Sequence, residues 1–70
     1  MHREPVASSA ISSVGYDPES ETLEVEFTSG AVYEYYDVPR KVFRSLMSAP
    51  SKGQFLAKRI KDRYEFAKAD

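Results

Sequence analysis

Cysteine and tryptophan are absent from the 70 residues, and histidine occurs once, as His2. Without thiols, neither a disulfide nor a thiolate metal site can reinforce the fold. A lone histidine near the start, where chain ends are usually loosely held, gives no basis for a His-based triad or histidine metal cluster. No apolar run approaches the roughly 18–20 residues that a membrane span needs, and no charged-then-apolar signal segment opens the chain. These absences lead us to expect a soluble cytoplasmic protein with no cofactor, no metal and no membrane partner.

Positive charge is scarce in the first half. Residues 1–37 hold one base, Arg3, against eight acids, a net of −7; residues 38–70 hold nine bases against three acids, a net of +6. The overall −1 conceals this polarity, and such asymmetry suggests an anionic partner for the basic half. Seventy residues make one small domain whose single core rarely supplies more than roughly 3–5 kcal/mol. That core must rest on aromatics, of which there are five Tyr and four Phe. A substrate pocket of about 300–1,000 Å³ is hard to accommodate in so thin a core. A non-enzymatic binding module is therefore expected.

Residues 1–9 show no sustained periodicity and read as a flexible lead-in to a single domain over 10–67, with 68–70 as a tail. Ile11 to Tyr16 is β-branched and aromatic, and stops at the turn Asp17-Pro18-Glu19-Ser20. Thr22 to Thr28 alternates, with Leu23, Val25 and Phe27 on one side and Glu24 and Glu26 on the other. Ala31 to Tyr36 follows as a third strand. Short connections imply an antiparallel meander.

The turn at Ser29-Gly30 decides where the tyrosines go. A two-residue loop pairs Phe27 with Val32 and puts Tyr33 and Tyr35 on the acidic face. A three-residue loop, Thr28-Ser29-Gly30, pairs Phe27 with Ala31 and turns them inward. The shorter turn wants φ > 0 at Ser29 as well as Gly30, whereas the longer needs it only at Gly30. A one-residue slip would exchange the faces. The three-residue loop is preferred.

Asp37-Val38-Pro39 opens a helix, since Pro suits the first turn, and Val42, Phe43, Leu46 and Met47 form its apolar stripe. Pro50 ends it. Ser51-Lys52-Gly53-Gln54 reads as a capping box for a second helix that carries Leu56, Ile60 and Tyr64 on one face. Lys58, Lys61 and Asp62 lie roughly opposite, with Arg59 and Arg63 on a flank. The expected fold class is α+β: a three-stranded antiparallel β-meander followed by two helices packed on one sheet face. The expected core is Val14, Tyr16, Leu23, Val25, Phe27, Tyr33, Tyr35, Val42, Phe43, Leu46, Leu56, Ile60 and Tyr64.

The run Ile11-Ser12-Ser13-Val14-Gly15-Tyr16-Asp17, then Leu23 to Phe27, Gly30, Tyr33-Glu34-Tyr35, Val38-Pro39, Ser51-Lys52-Gly53, Ile60 and Tyr64, resembles the KTSC domain. The likeness covers about Val6 to Phe66. Each motif is short, and it is their order and spacing that carry the resemblance. The family takes its name from the C-terminus of some lysyl-tRNA synthetases and also occurs as stand-alone bacterial or phage proteins. The resemblance implies a domain of unknown function without catalytic residues, with RNA binding suggested only by attachment to a synthetase. Two positions depart from the pattern: Ala57, where an Asn is expected, and Pro50, where a polar residue is more usual.

Among candidate contacts, the basic residues of the helical half rank first. Lys52, Lys58, Arg59, Lys61 and Arg63 would meet phosphates, with Gly53 offering a backbone N–H at the helix start. Arg40, Lys41 and Arg44 on the first helix and Tyr36 on the open sheet face are further exposed contacts. A basic helix face is more often simply solvated, and bases late in a helix favour its dipole without any partner. Ser51-Lys52-Gly53 lacks the long glycine-rich loop of nucleotide-binding proteins, and its cap alone accounts for Ser51 and Gln54. Tyr33 and Tyr35 read as core tyrosines rather than a stacking platform, because the open face beside them would be acidic. Ser8, Ser9, Ser12 and Ser13 have no evident activating base, and Asp17, Glu19 and Glu21 match no calcium loop.

The sequence thus points to a small module for RNA. The alternative is a protein-interaction or phage accessory module that uses a sheet edge or the acidic face. Its opposed halves would allow a monomer or a weak head-to-tail homo-oligomer.

Overall fold

Alternation of apolar and polar residues from Ile11 onward builds a sheet that buries one face and leaves acids on the other. The computed structural model describes residues 2–69; Met1 and Asp70, the outermost residues of the expected lead-in and tail, lie outside them. The elements run β1 (Arg3–Pro5), β2 (Ile11–Asp17), β3 (Thr22–Phe27), β4 (Val32–Tyr35), α1 (Arg40–Ser48), α2 (Lys52–Phe55) and β5 (Phe66–Lys68), with a π-helix at Leu56–Ile60 that continues α2 without a break. The five strands form one antiparallel sheet in the order β1-β2-β3-β4-β5. The expected meander of three strands is thus too small. β1 and β5 are three-residue edge strands with mostly exposed side chains. They bury too little apolar surface to leave a periodic signal.

The β3–β4 register follows the longer loop. Val25 pairs with Tyr33 and Leu23 with Tyr35, the Phe27 N–H donates to Ala31 C=O at 2.8 Å, and Gly30 takes φ +97°. Tyr33 and Tyr35 share the inner face with Leu23 and Val25 as a result. On the outer face Glu24 and Glu34 sit directly opposite each other. That like-charge pairing is offset by Arg3, whose guanidinium donates to Glu24 at 2.9 Å.

Ile11, Val14, Leu23, Val25, Tyr35, Val38, Leu46, Leu56 and Ile60 form the core. Two of these, Ile11 and Val38, are fully buried and were not expected there. Strict alternation would put Ile11 opposite Val14, but the β2–β3 register shifts between Ile11 and Ser13. One extra residue in the strand turns Ile11 inward. Val38 lies in the irregular link to α1, where no periodicity flags it. It is anchored by its N–H donating to Glu21 C=O at 2.9 Å and its C=O accepting from the Tyr16 hydroxyl. α1 rests on the inner face, with Phe43 stacked on Tyr16 at 4.8 Å between ring centroids.

The second helix differs from expectation at its end. Ser51 caps it, its hydroxyl oxygen accepting the Gln54 N–H at 3.3 Å. From Leu56 the bonding widens: the Lys61 N–H donates to Leu56 C=O at 2.8 Å, five residues back. The helix then closes through Arg63 and Tyr64 N–H groups on Ile60 C=O. It stops at Ile60 rather than running through Tyr64, and the chain returns to the sheet as β5. No helix among the described residues is long and apolar enough to cross a membrane.

Candidate nucleic-acid interface

The cations of the helical half stand on three sides of the second helix. Toward α1, a groove of about 240 Å³ is lined by Lys41, Ser45, Arg59, Arg63 and Tyr64 over a floor of Val42 and Phe55. Phe55 and Arg59 lie about one turn apart on the second helix, Arg63 follows in the turn that closes on Ile60 C=O, and Lys41, Val42 and Ser45 occupy the matching face of α1. No carboxylate lines the groove. Among the described residues the one ion pair is Arg3–Glu24, on the far side of the sheet. Lys41, Arg59 and Arg63 are exposed, and among the described residues no carboxylate lies at ion-pair distance from them.

Lys58 falls elsewhere, on a hollow of about 250 Å³ at the start of the helix that it shares with Pro50, Ser51, Gln54 and Arg59. Lys52 is engaged: its ammonium donates to Ala49 C=O at 3.2 Å and so finishes the α1 C-terminus. Gly53 is half-buried, and a Cβ built there would lie 3.4 Å from the Ala10 Cβ. A side chain there would make ordinary contact with the β1–β2 link, and Gly53 also lines the cleft between the helix and the sheet. Arg40 and Arg44 are exposed on α1 but do not line the groove.

Lys61 lies on a different side from the one periodicity assigned. Ordinary α-helical spacing puts it opposite Leu56 and Ile60. The i→i−5 bond instead stacks Lys61 over Leu56, and both line a cleft of about 420 Å³ between the helix and the sheet. Phe27, Tyr33, Tyr35, Ala57 and Phe66 are among the residues of its walls. Phe27 meets Tyr33 edge-on at 5.6 Å, and Phe66 lies 5.7 Å from both Tyr33 and Tyr35. Phe66 is 52% exposed. The tyrosines are inward as expected; Tyr35 is buried, whereas Tyr33 is covered incompletely. Sequence reasoning missed this cleft because Phe66 belongs to a strand that reads as the continuation of a helix.

Tyr36 belongs to the other face. Its hydroxyl donates to Glu34 Oε1 at 3.2 Å, and its pKa is raised by burial and by that carboxylate. It also borders a shallow hollow of about 560 Å³ with Asp62, Arg63, Tyr64, Glu65 and Phe66. The two acids there make it a poor seat for phosphate.

The serines and the acidic turn have local roles. Ser8 Oγ accepts the N–H groups of Ala10 and Ile11 at 3.2 and 3.3 Å. Ser13 donates to Glu26 Oε1 at 2.9 Å across the outer face. That carboxylate is a base within reach of a serine, which the sequence did not reveal, but none of the cavities above reaches the pair. Asp17 accepts from the Glu19 N–H and the Ser20 hydroxyl, both at 3.0 Å, as an Asx turn does. Among the described residues no group of three or more His, Cys, Asp or Glu is placed to hold a metal ion.

Comparison with known proteins gives a consistent answer. The family model of the KTSC domain matches residues 7–64. A protein of Tsukamurella paurometabola is 48% identical over 61 residues, covering 87% of this chain and 91% of that protein. A lysine–tRNA ligase of Nostoc punctiforme is 47% identical over 58 residues, which is 83% of this chain but 10% of the ligase. The crystal structure of a KTSC domain protein from Yersinia pestis superimposes with a TM-score of 0.96 at 40% identity, over 99% of this chain and 97% of that one. With the family model spanning most of the chain and the fold shared almost end to end, the protein belongs to the KTSC domain family.

Proposed function

We propose that this KTSC domain is a non-enzymatic binding module for RNA, holding phosphates in the groove between α1 and the second helix. The observation that carries the reading is the convergence of Lys41, Arg59 and Arg63 on one carboxylate-free groove. Two guanidinium groups suit phosphate because each presents planar, paired donors. Ser45 and Tyr64 add hydroxyls beside them. Lys58 and Lys61 flank the helix and extend the positive surface. The similarity of this chain to a segment of lysine–tRNA ligases supports the same reading, since those proteins act on an RNA.

Phosphate contacts release condensed counterions, so affinity should fall with salt, by about 0.7 in the logarithmic slope per phosphate on a single strand. Anisotropy of a labelled RNA titrated from roughly 50 to 200 mM salt tests this directly. Arg63→Ala should weaken binding uniformly across sequences and lower the salt slope by about 0.7. Absence of binding near 50 mM salt, or affinity unchanged in Arg59→Ala and Arg63→Ala, would reject the proposal.

A second reading has one observation in its favour. β5 forms a sheet edge whose three residues are exposed, and an open edge can accept a strand from another protein. Light scattering across concentrations checks the homotypic version: a constant monomer mass excludes it.

A further inference from the structure

We infer that the cleft between the second helix and β4–β5 takes a single unpaired nucleobase. This deepens the RNA reading and rests on it. The walls are aromatic: the Tyr33 ring contacts Phe27 at 5.6 Å and Phe66 at 5.7 Å, and Phe66 is half in solvent. A volume of about 420 Å³ lies within the usual range of roughly 300–1,000 Å³ for small-ligand sites. Aromatic faces stack any base, because every base has a π-face.

The polar groups fit a nucleotide better than an apolar side chain. Neither the Tyr33 nor the Tyr35 hydroxyl has a hydrogen-bond partner among the described residues. No buried side-chain polar atom there lacks one, so both hydroxyls reach accessible surface. Such hydroxyls can donate to the ring nitrogens and carbonyls of a base edge. Lys61 stands on the same cleft, and no carboxylate lines it. The charge is therefore matched to a base that carries a phosphate.

The path to the cation groove is short in terms of shared residues. Arg63 and Tyr64 line the groove and the hollow at the end of the helix, and Phe66 lines that hollow and the cleft. A strand held by Arg59 and Arg63 can thus turn one base past the helix end into the aromatic walls, with its phosphate kept on the arginine side of the hollow, away from Asp62 and Glu65. The π-turn contributes here, since it is what brings Lys61 to the cleft side.

The test separates base from phosphate. Adenosine and uridine, which are uncharged, would be titrated against the protein by NMR at millimolar concentration. A uniform single-stranded RNA and its abasic counterpart would be titrated in parallel. The ring resonances of Phe27, Tyr33 and Phe66 should move with a nucleoside and with intact RNA, and the abasic strand should bind more weakly. Phe66→Ala should weaken intact RNA by roughly 5- to 150-fold, the range found for stacking aromatics, with no effect on the abasic strand. Ala57→Leu, which narrows the cleft from an exposed helix position, should do the same, and both variants should unfold as cooperatively as the parent.

Intact RNA that binds with silent ring resonances, or an abasic strand that binds equally well, would overturn the base cleft and leave the phosphate groove standing. Nucleoside shifts at the cleft without any binding of RNA would overturn the groove and support the cleft. If N-acetylphenylalanine amide moves these rings and neither nucleoside does, the cleft is a protein contact and the inference fails.

Discussion

Gly30 and the tyrosines are the positions where single atoms decide most. Gly30 has φ +97° and nothing within 4 Å of an added Cβ, so the cost of a side chain there is purely conformational. Gly30→Ala should therefore destabilise by about 1–2 kcal/mol, and the melting temperature should fall by several degrees. A neutral result in thermal unfolding would mean that the turn has another conformation. The tyrosines make stability sensitive to alkali. Burial raises the pKa of Tyr16 and of Tyr35, the latter helped by neighbouring Tyr33. A phenol whose pKa is higher in the folded state stabilises fully below its unfolded value near 10 and loses that contribution as pH rises through the folded value. Urea midpoints should accordingly be flat to about pH 10 and fall above it. Tyr35→Phe should make the fall shallower, and an equally steep fall would remove Tyr35 from the account.

The bulge in β2, the π-turn and the two edge strands are where the sequence was hardest to read. The alternation of Leu23, Val25 and Phe27, the loop length set by Gly30 and the stripe on α1 were all legible, because each rests on a period or a local φ demand. Ile11 was not, since a one-residue bulge leaves no mark in the pattern and reverses which side chain is buried. Ile11→Ala should cost about 2–5 kcal/mol, enough to unfold much of a population with so small a core, whereas Ser12→Ala should stay within about 0.5 kcal/mol. Denaturant midpoints for the two variants measure the contrast. Among the candidate contacts, Lys41, Arg59 and Arg63 were legible as charges but their meeting was not, because it depends on how two helices pack. The bond of Lys52 to Ala49 C=O was hidden for the same reason: that carbonyl takes its ammonium only once α1 has ended there. Lys61 needed the hydrogen bond to Leu56, which no spacing rule anticipates.

Over the molecule as a whole, the sheet separates the two signs of charge. Glu24, Glu26 and Glu34 share the outer face, where Arg3, Ser13 and Tyr36 satisfy them. On the other side the helices carry cations that, among the described residues, form no ion pair. Opposed faces of this kind orient an approaching polyanion before contact, so association should slow as salt rises. Backbone amide shifts mapped during titration with a short single-stranded RNA at low salt decide whether this polarity is used. The account predicts that perturbations gather on Lys41, Ser45, Arg59, Arg63 and Tyr64 and around the aromatic cleft at Phe66, and spare β2 and the outer sheet face. Shifts concentrated on Glu24, Glu26 and Glu34, or spread evenly with no saturation, would contradict it.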